Sequence, residues 1–231
     1  MVQRGVMLVV LGLSVGGAMA CGSGPNGSAG DAQAADRQYL LERVDEAAIV
    51  QLYADGFEAL PLDQKILIYH LYRAALAGRD IFYDQRYAHN LEMREVLEQI
   101  LTHADGVDPD TRAEIERYTK LFWVNTGPYN NLTARKFVLQ CTPEAFVAAA
   151  EAAAAANATF PLRNGETLDA MLARMAPLFF DASVDPSVTT KTPGQGEDIL
   201  VASANNLYVG VTMADLEGFT EQHALNSRLG K

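Results

Sequence analysis

Two short stretches constrain this chain more than any other feature. Asp108-Pro109 and Thr142-Pro143-Glu144 each set a capping side chain directly ahead of a proline. An aspartate or threonine oxygen accepts from free first-turn amides, and proline suits the first helical position, where its missing N–H costs nothing. Both are helix starts, and the apolar residues around them recur at helical spacing. Ile115, Tyr118 and Phe122 form one line that ends at Trp123, the only tryptophan. Met93, Val96, Leu97, Ile100 and Leu101 form a second stripe at i, i+3, i+4, i+7 and i+8, with Arg94, Glu95, Glu98 and Gln99 on the opposite face.

Other helices follow from the same reasoning. Asp63 precedes QKILIYHLYRAALAG, a segment apolar almost all round. Such a pattern predicts a buried central helix capped by Asp63 and broken at Gly78. The stretch EAFVAAAEAAAAANA is nearly all alanine, so propensity makes it helical while its small side chains predict shallow docking. Leu168, Met171, Leu172 and Met175 make a further stripe that should stop near Pro177. The helical pattern is expected from about Gln38. Residues 181–197, DASVDPSVTTKTPGQGE, carry the strongest loop signal. NNLYVGV reads as a short strand or extended segment, and Thr212 caps a last helix, MADLEGFTEQHAL, with Asp215 in a capping-box position. The fold class expected is mainly α with a minor β component (α+β), over residues 38–231.

The first 20 residues are a separate object. Arg4 precedes an uncharged apolar run, and Ala18-Met19-Ala20 supplies the small-x-small pattern of an export signal. Cys21 and a Gly/Ser/Ala-rich tether over residues 21–37 follow. This resembles a bacterial lipoprotein signal, in which Cys21 is the lipid attachment point. Ala18 stands where that pattern prefers leucine, so lipid anchoring to the membrane and soluble periplasmic export both stay open. Either way the protein is expected to be exported. The formal charge of −11, without a basic run, argues against nucleic acid as a partner.

Catalytic residue patterns are absent. The four histidines, His70, His89, His103 and His223, include no His-Glu-x-x-His pair, and His70 reads as a satisfied core residue. No Gly-x-Ser-x-Gly elbow or phosphate-binding glycine loop occurs. Asp80 and Asp84 share a helix face if the helix continues past Gly78, and Arg79 and Arg86 favour ion pairing there over acid–base work. Cys141 reads as a buried inert thiol. The loop VNTGPYNNLTARKF is of another kind. Asn125, Asn130 and Asn131 offer amide donors and acceptors, Tyr129 a ring with a hydroxyl, and Gly127-Pro128 a turn that would point them outward. That cluster suits peptide backbone, and equally a plain turn.

Three stretches give the chain a resemblance to the dipeptidyl peptidase III family of zinc metallopeptidases. GRDIFYDQRYAHNLEMREVLE (78–98) looks like an early helix pair of bacterial members. NTGPYNNLTARKFV (125–138) resembles an Asn-x-Gly-x-Tyr segment that ends in Lys-Phe, here Lys136-Phe137. NNLYVGVTMADLEGFTEQHALNSRL (205–229) resembles a Tyr-x-Gly-x-Thr-x-x-Asp segment that ends in Asn-x-Arg-Leu. The resemblance implies one lobe of a two-lobed metallopeptidase that removes dipeptides from short peptides. Zinc in the complete family enzyme is held by His-Glu-x-x-Gly-His and a later Glu in the other lobe. None of those ligands is in this sequence, so no cofactor is expected on this chain alone, and its partner would be the missing zinc-binding lobe. The substrate groove lies between lobes, and Asn125, Gly127, Tyr129, Asn130 and Asn131 are the residues expected to line it. The alternative is a stand-alone exported lipoprotein that binds peptides or a partner protein without catalysis.

Overall fold

A computed structural model describes residues 37–222 and 228–231. The export signal, Cys21 and His223 lie outside the described residues. The chain divides into two compact units, Met1–Ile66 and Leu67–Lys231.

In the first unit, strands β1 (Leu40–Val44) and β2 (Ala47–Val50) pair antiparallel. This corrects the helix expected from Gln38. Asp45 turns the chain at φ 50°, a left-handed value that a short polar side chain tolerates. Apolar Leu40, Leu41, Ile49 and Val50 then flank the turn. The Arg37 guanidinium lies 4.7 Å over the Tyr53 ring and pairs with Asp55 at 2.7 Å.

Helix α1 (Leu62–Arg86) spans the boundary in sequence. It runs straight through Gly78, and Asp63 sits in its first turn rather than capping it. The expectation of a buried central helix is also corrected: Tyr83 is its one buried residue, and His70 is exposed. Only the last turns, from Tyr83 onward, enter the core of the second unit.

That core is built by α2 (Asn90–Thr102), α3 (Pro109–Asn125), α4 (Pro143–Ala155) and α5 (Leu168–Phe180). Asp108 and Thr142 cap as expected, accepting from the amides of Thr111 and Ala145. The stripe Met93, Val96, Leu97 and Ile100 is fully buried. It faces Ile115, Tyr118 and Phe122 of α3 and Phe179 of α5 within one apolar cluster. The alanine helix α4 packs against α2, α3 and α5, so its docking is central rather than shallow. Its buried Ala149, Ala150 and Ala153 let neighbouring backbones approach, and Phe146 fills the remaining space. Helix α5 does not stop at Pro177. It runs on to Phe180 because Leu178 and Phe179 are buried beyond it.

Tyr118 is wholly buried, edge-on to Phe137 at 5.3 Å and Phe179 at 6.1 Å, and its hydroxyl has no partner among the described residues. Removing an unsatisfied buried hydroxyl removes its desolvation cost, so Tyr118→Phe is expected to raise stability by about 1 kcal/mol in urea unfolding. A loss of stability of that size would show that the hydroxyl is satisfied in solution.

Beyond α5 the chain is irregular. Residues 181–197 are mostly exposed, but Val188 is buried and Ser187 pairs with Arg135. Strand β3 (Tyr208–Val209) pairs parallel with β4 (Leu229–Gly230). Between them α6 (Met213–Leu216) opens with a full capping box of Thr212 and Asp215. It is far shorter than expected, ending before Gly218, which adopts φ 84°. The described residues are mainly α with a minor β component, as the sequence predicts.

Candidate functional site

The loop 125–131 begins where α3 ends. Thr126 takes the left-handed conformation (φ 54°, ψ 49°), and the Gly127 amide donates to Phe122 O at 2.9 Å. This glycine-bearing C-cap closes the last turn of α3 and directs the chain back over α2. There the Asn90 side chain, with no exposure, donates to Tyr83 O at 2.9 Å and to Thr126 O at 3.1 Å. Gly127 (φ 131°) lies so close to that amide that a Cβ would meet Asn90 Oδ1 at 2.6 Å.

The five residues expected to bind peptide are brought together, but they do not all face outward. Asn125 is buried; its Nδ2 donates to Leu121 O at 2.9 Å, and its Oδ1 accepts from the Asn131 amide at 2.9 Å. Tyr129 has no exposure, which corrects the expectation that its ring points outward. Its ring meets Tyr87 edge-on at 5.3 Å, and its hydroxyl donates to Asp185 O at 2.9 Å. Gly127 is buried as well. Asn130 and Asn131 alone are exposed, and Asn130 Oδ1 accepts from the amides of Leu132 and Thr133, an Asx turn. Leu132 projects from that turn with 76% exposure. The outward surface of the loop is therefore Asn130, Asn131, Leu132 and Thr133.

Behind it lies a polar clasp that sequence reasoning missed. Tyr129 pairs with Lys136 in an antiparallel bridge, which sets both side chains on the inner face. Lys136 is buried, and its Nζ donates to Pro177 O, Asp181 O and Val184 O at 3.3, 2.9 and 2.8 Å. The ammonium thus caps the C-terminal end of α5, where carbonyl dipoles favour a cation. Burial nonetheless pulls its pKa below the usual lysine value. The Tyr87 hydroxyl donates to Asp185 Oδ2 at 2.6 Å, and Arg86 donates to Tyr129 O at 3.2 Å. Burial pushes the phenols of Tyr87 and Tyr129 well above the ordinary tyrosine range, and the Asp185 carboxylate beside them pushes the same way. A phenol held so high is a poor proton donor at neutral pH, so the clasp holds shape rather than moving protons.

The other residues considered for chemistry are committed elsewhere. Asp80 pairs with Arg94 at 2.8 Å and with its neighbour Arg79 at 3.5 Å, and Asp84 pairs with Arg228, so ion pairing prevails as expected. Cys141 is half-buried, and burial, with Glu114 nearby, pushes its thiol up to about 11, which keeps it protonated and unreactive near neutral pH. His89 packs edge-on to Tyr87 at 5.1 Å. Among the described residues no group of three or more His, Cys, Asp or Glu is placed to hold a metal ion. Among them, too, no helix is long and apolar enough to cross a membrane. No protein-family model matches the chain, and no curated protein matches it.

Proposed function

We propose that this chain is the substrate-side lobe of a dipeptidyl peptidase III-like zinc hydrolase acting on short peptides. One observation carries the reading: the three stretches that bear the resemblance interlock. Asn90, from the first, bonds Thr126 O and seats Gly127, both from the second. Asn206 Nδ2, from the third, donates to Asp84 O at 3.0 Å, and Arg228 ties Asn206 O to the Asp84 carboxylate. Residues from three stretches far apart in sequence, each bearing the resemblance, thus pack together, which supports the reading. In this reading zinc and its general base are held by other polypeptide. The described residues contribute the exposed side chains of Asn130 and Asn131; Asn130 Oδ1 closes the Asx turn, which leaves its Nδ2 to donate to a peptide carbonyl. Export of the chain, with or without lipid on Cys21, belongs to the same proposal, and the mass of the mature amino terminus tests it.

Amide NMR of the chain titrated with a tetrapeptide is the direct test. Shifts are expected to centre on residues 130–133. The double variant Asn130→Ala/Asn131→Ala should weaken binding about tenfold, roughly 1.4 kcal/mol, as two lost neutral hydrogen bonds would. A titration that leaves these amides unmoved sinks the groove assignment. A purified chain that holds one zinc and trims peptides unaided sinks the reading as a whole.

A further inference from the structure

An asparagine carboxamide is open to attack by the amide nitrogen of the next residue, which closes a five-membered imide. The reaction needs a free carboxamide, a free following amide, and little crowding at that amide, which glycine provides. Eight asparagines lie among the described residues, and seven are held out of this reaction. Asn90 is fully enclosed, with its Nδ2 bonded twice. Asn125, Asn130, Asn131, Asn157, Asn205 and Asn206 each precede an amide that already donates, as Ala158 N does to Ala153 O and Asn131 N to Asn125 Oδ1.

Asn164 differs on every point. With Gly165 it forms the exposed middle of a turn, closed by Glu166 N donating to Arg163 O at 2.9 Å. The flanking residues make both bonds of that turn, since Arg163 N also donates to Glu166 Oε2 at 3.0 Å. Neither the Asn164 carboxamide nor the Gly165 amide has a partner among the described residues. Gly165 sits at φ 74°, the third-position conformation of a type II turn, and even a Cβ there would meet nothing within 4 Å. The attacking nitrogen is open on all sides.

We propose that Asn164 is a modification site, converted in the folded chain to aspartate and isoaspartate with water as the sole co-reactant. Gly165 N bonds to Asn164 Cγ while the Cγ–Nδ2 bond breaks. The Gly165 amide proton leaves with the departing nitrogen as ammonia. Water then opens the imide. Cleavage at Cγ restores an ordinary backbone with an aspartate side chain, and cleavage at the Asn164 carbonyl carbon routes the main chain through Cγ as isoaspartate. Either product adds one negative charge, and isoaspartate also adds one carbon to the backbone of the turn. That turn ties two helices together: Arg163 donates to Glu92 of α2 at 3.1 and 3.0 Å, and Glu166 accepts from Arg174 of α5 at 2.7 Å. A backbone one carbon longer no longer fits the 2.9 Å closure between Arg163 and Glu166, so isoaspartate loosens the tie.

Ageing the folded 231-residue chain in mildly alkaline buffer tests this. A glutamate-specific protease then releases residues 152–166, which hold Asn157 and Asn164 together and leave Asn26-Gly27 in another peptide. Chromatography and mass spectrometry should show the native peptide giving way to two acidic forms of equal mass. Fragmentation should place both changes at residue 164, with Asn157 intact. Asn164→Gln, which would have to close a six-membered ring, should lose the conversion. A peptide that stays native in the folded chain overturns the proposal, and its conversion in urea would then assign the protection to the turn itself. Conversion of Asn157 as fast as Asn164 also overturns it, because the hydrogen bond of the following amide would then decide nothing.

Discussion

Gly127→Ala is expected to lower the stability of the chain by about 3–5 kcal/mol, the largest single-site effect outside the aromatic core. Two costs combine. The backbone at φ 131° is one that L side chains rarely adopt, and holding alanine there costs about 1–3 kcal/mol. The new methyl would also stand 2.6 Å from Asn90 Oδ1. Asn90 cannot retreat freely, because its Nδ2 holds Tyr83 O and Thr126 O, and the residue is fully enclosed. If the amide moves, two buried carbonyls lose their donor, at about 1–3 kcal/mol each. Urea midpoints of the single variants Gly127→Ala and Asn90→Ala, and of the double variant, check the account. The steric part vanishes once Asn90 is trimmed, so the double variant should lose at least about 1 kcal/mol less than the sum of the singles. Strict additivity would show that the two residues do not press on each other.

The same pair shows where sequence reading succeeds and where it stops. That Gly127 begins a turn is legible, because Gly-Pro after a helix is local chemistry. That it must be glycine is not, because the reason lies 37 positions away in Asn90. The caps at Asp108 and Thr142 and the stripe of α2 were legible for the same reason: cap geometry and helical period depend only on neighbours. The hairpin at 40–50 was not, since its turn uses Asp45-Glu46 rather than a glycine pair, and strands this short leave little period to read. Helix α1 is the sharpest case. Its composition is that of a buried helix, yet its own unit covers only the end at Tyr83. Burial is decided by what packs against a segment, and pattern within the segment cannot supply that. In the loop 125–131, residue types identified groups able to hold a peptide. Tertiary packing then used Asn125 and Tyr129 internally and left Asn130 and Asn131 outside. Lys136 and Asp185, which hold the loop from behind, form no motif with it in sequence.

Stability should fall steeply above about pH 10, driven by buried phenols. Tyr87, Tyr118 and Tyr129 are almost fully enclosed, and burial raises all three well above the ordinary tyrosine value; Tyr83 is raised as well. Below pH 10 these groups are protonated in both the folded and unfolded chain, so their contribution is complete there. Above pH 10 the unfolded chain releases protons that the folded chain keeps. Each such group removes up to about 1.4 kcal/mol per pH unit, so the three strongest together remove roughly 4. Cys141, raised to about 11, adds to the loss from near pH 9. Lys136 opposes it, because its folded pKa is lowered. Between that lowered value and 10.5 the unfolded lysine holds a proton that the folded one has shed, so stability gains there. The gain is limited to one proton and ends at 10.5, so the tyrosines win above it. Urea midpoints across the alkaline range should therefore drop, with tyrosinate absorbance of the buried rings rising together with unfolding. Tyr87→Phe and Tyr118→Phe should each move the alkaline transition upward. Gradual ionisation of these rings in a chain that stays folded would mean that water already reaches the clasp behind residues 125–131, and that Asp185 and Lys136 hold it less tightly than their hydrogen bonds imply.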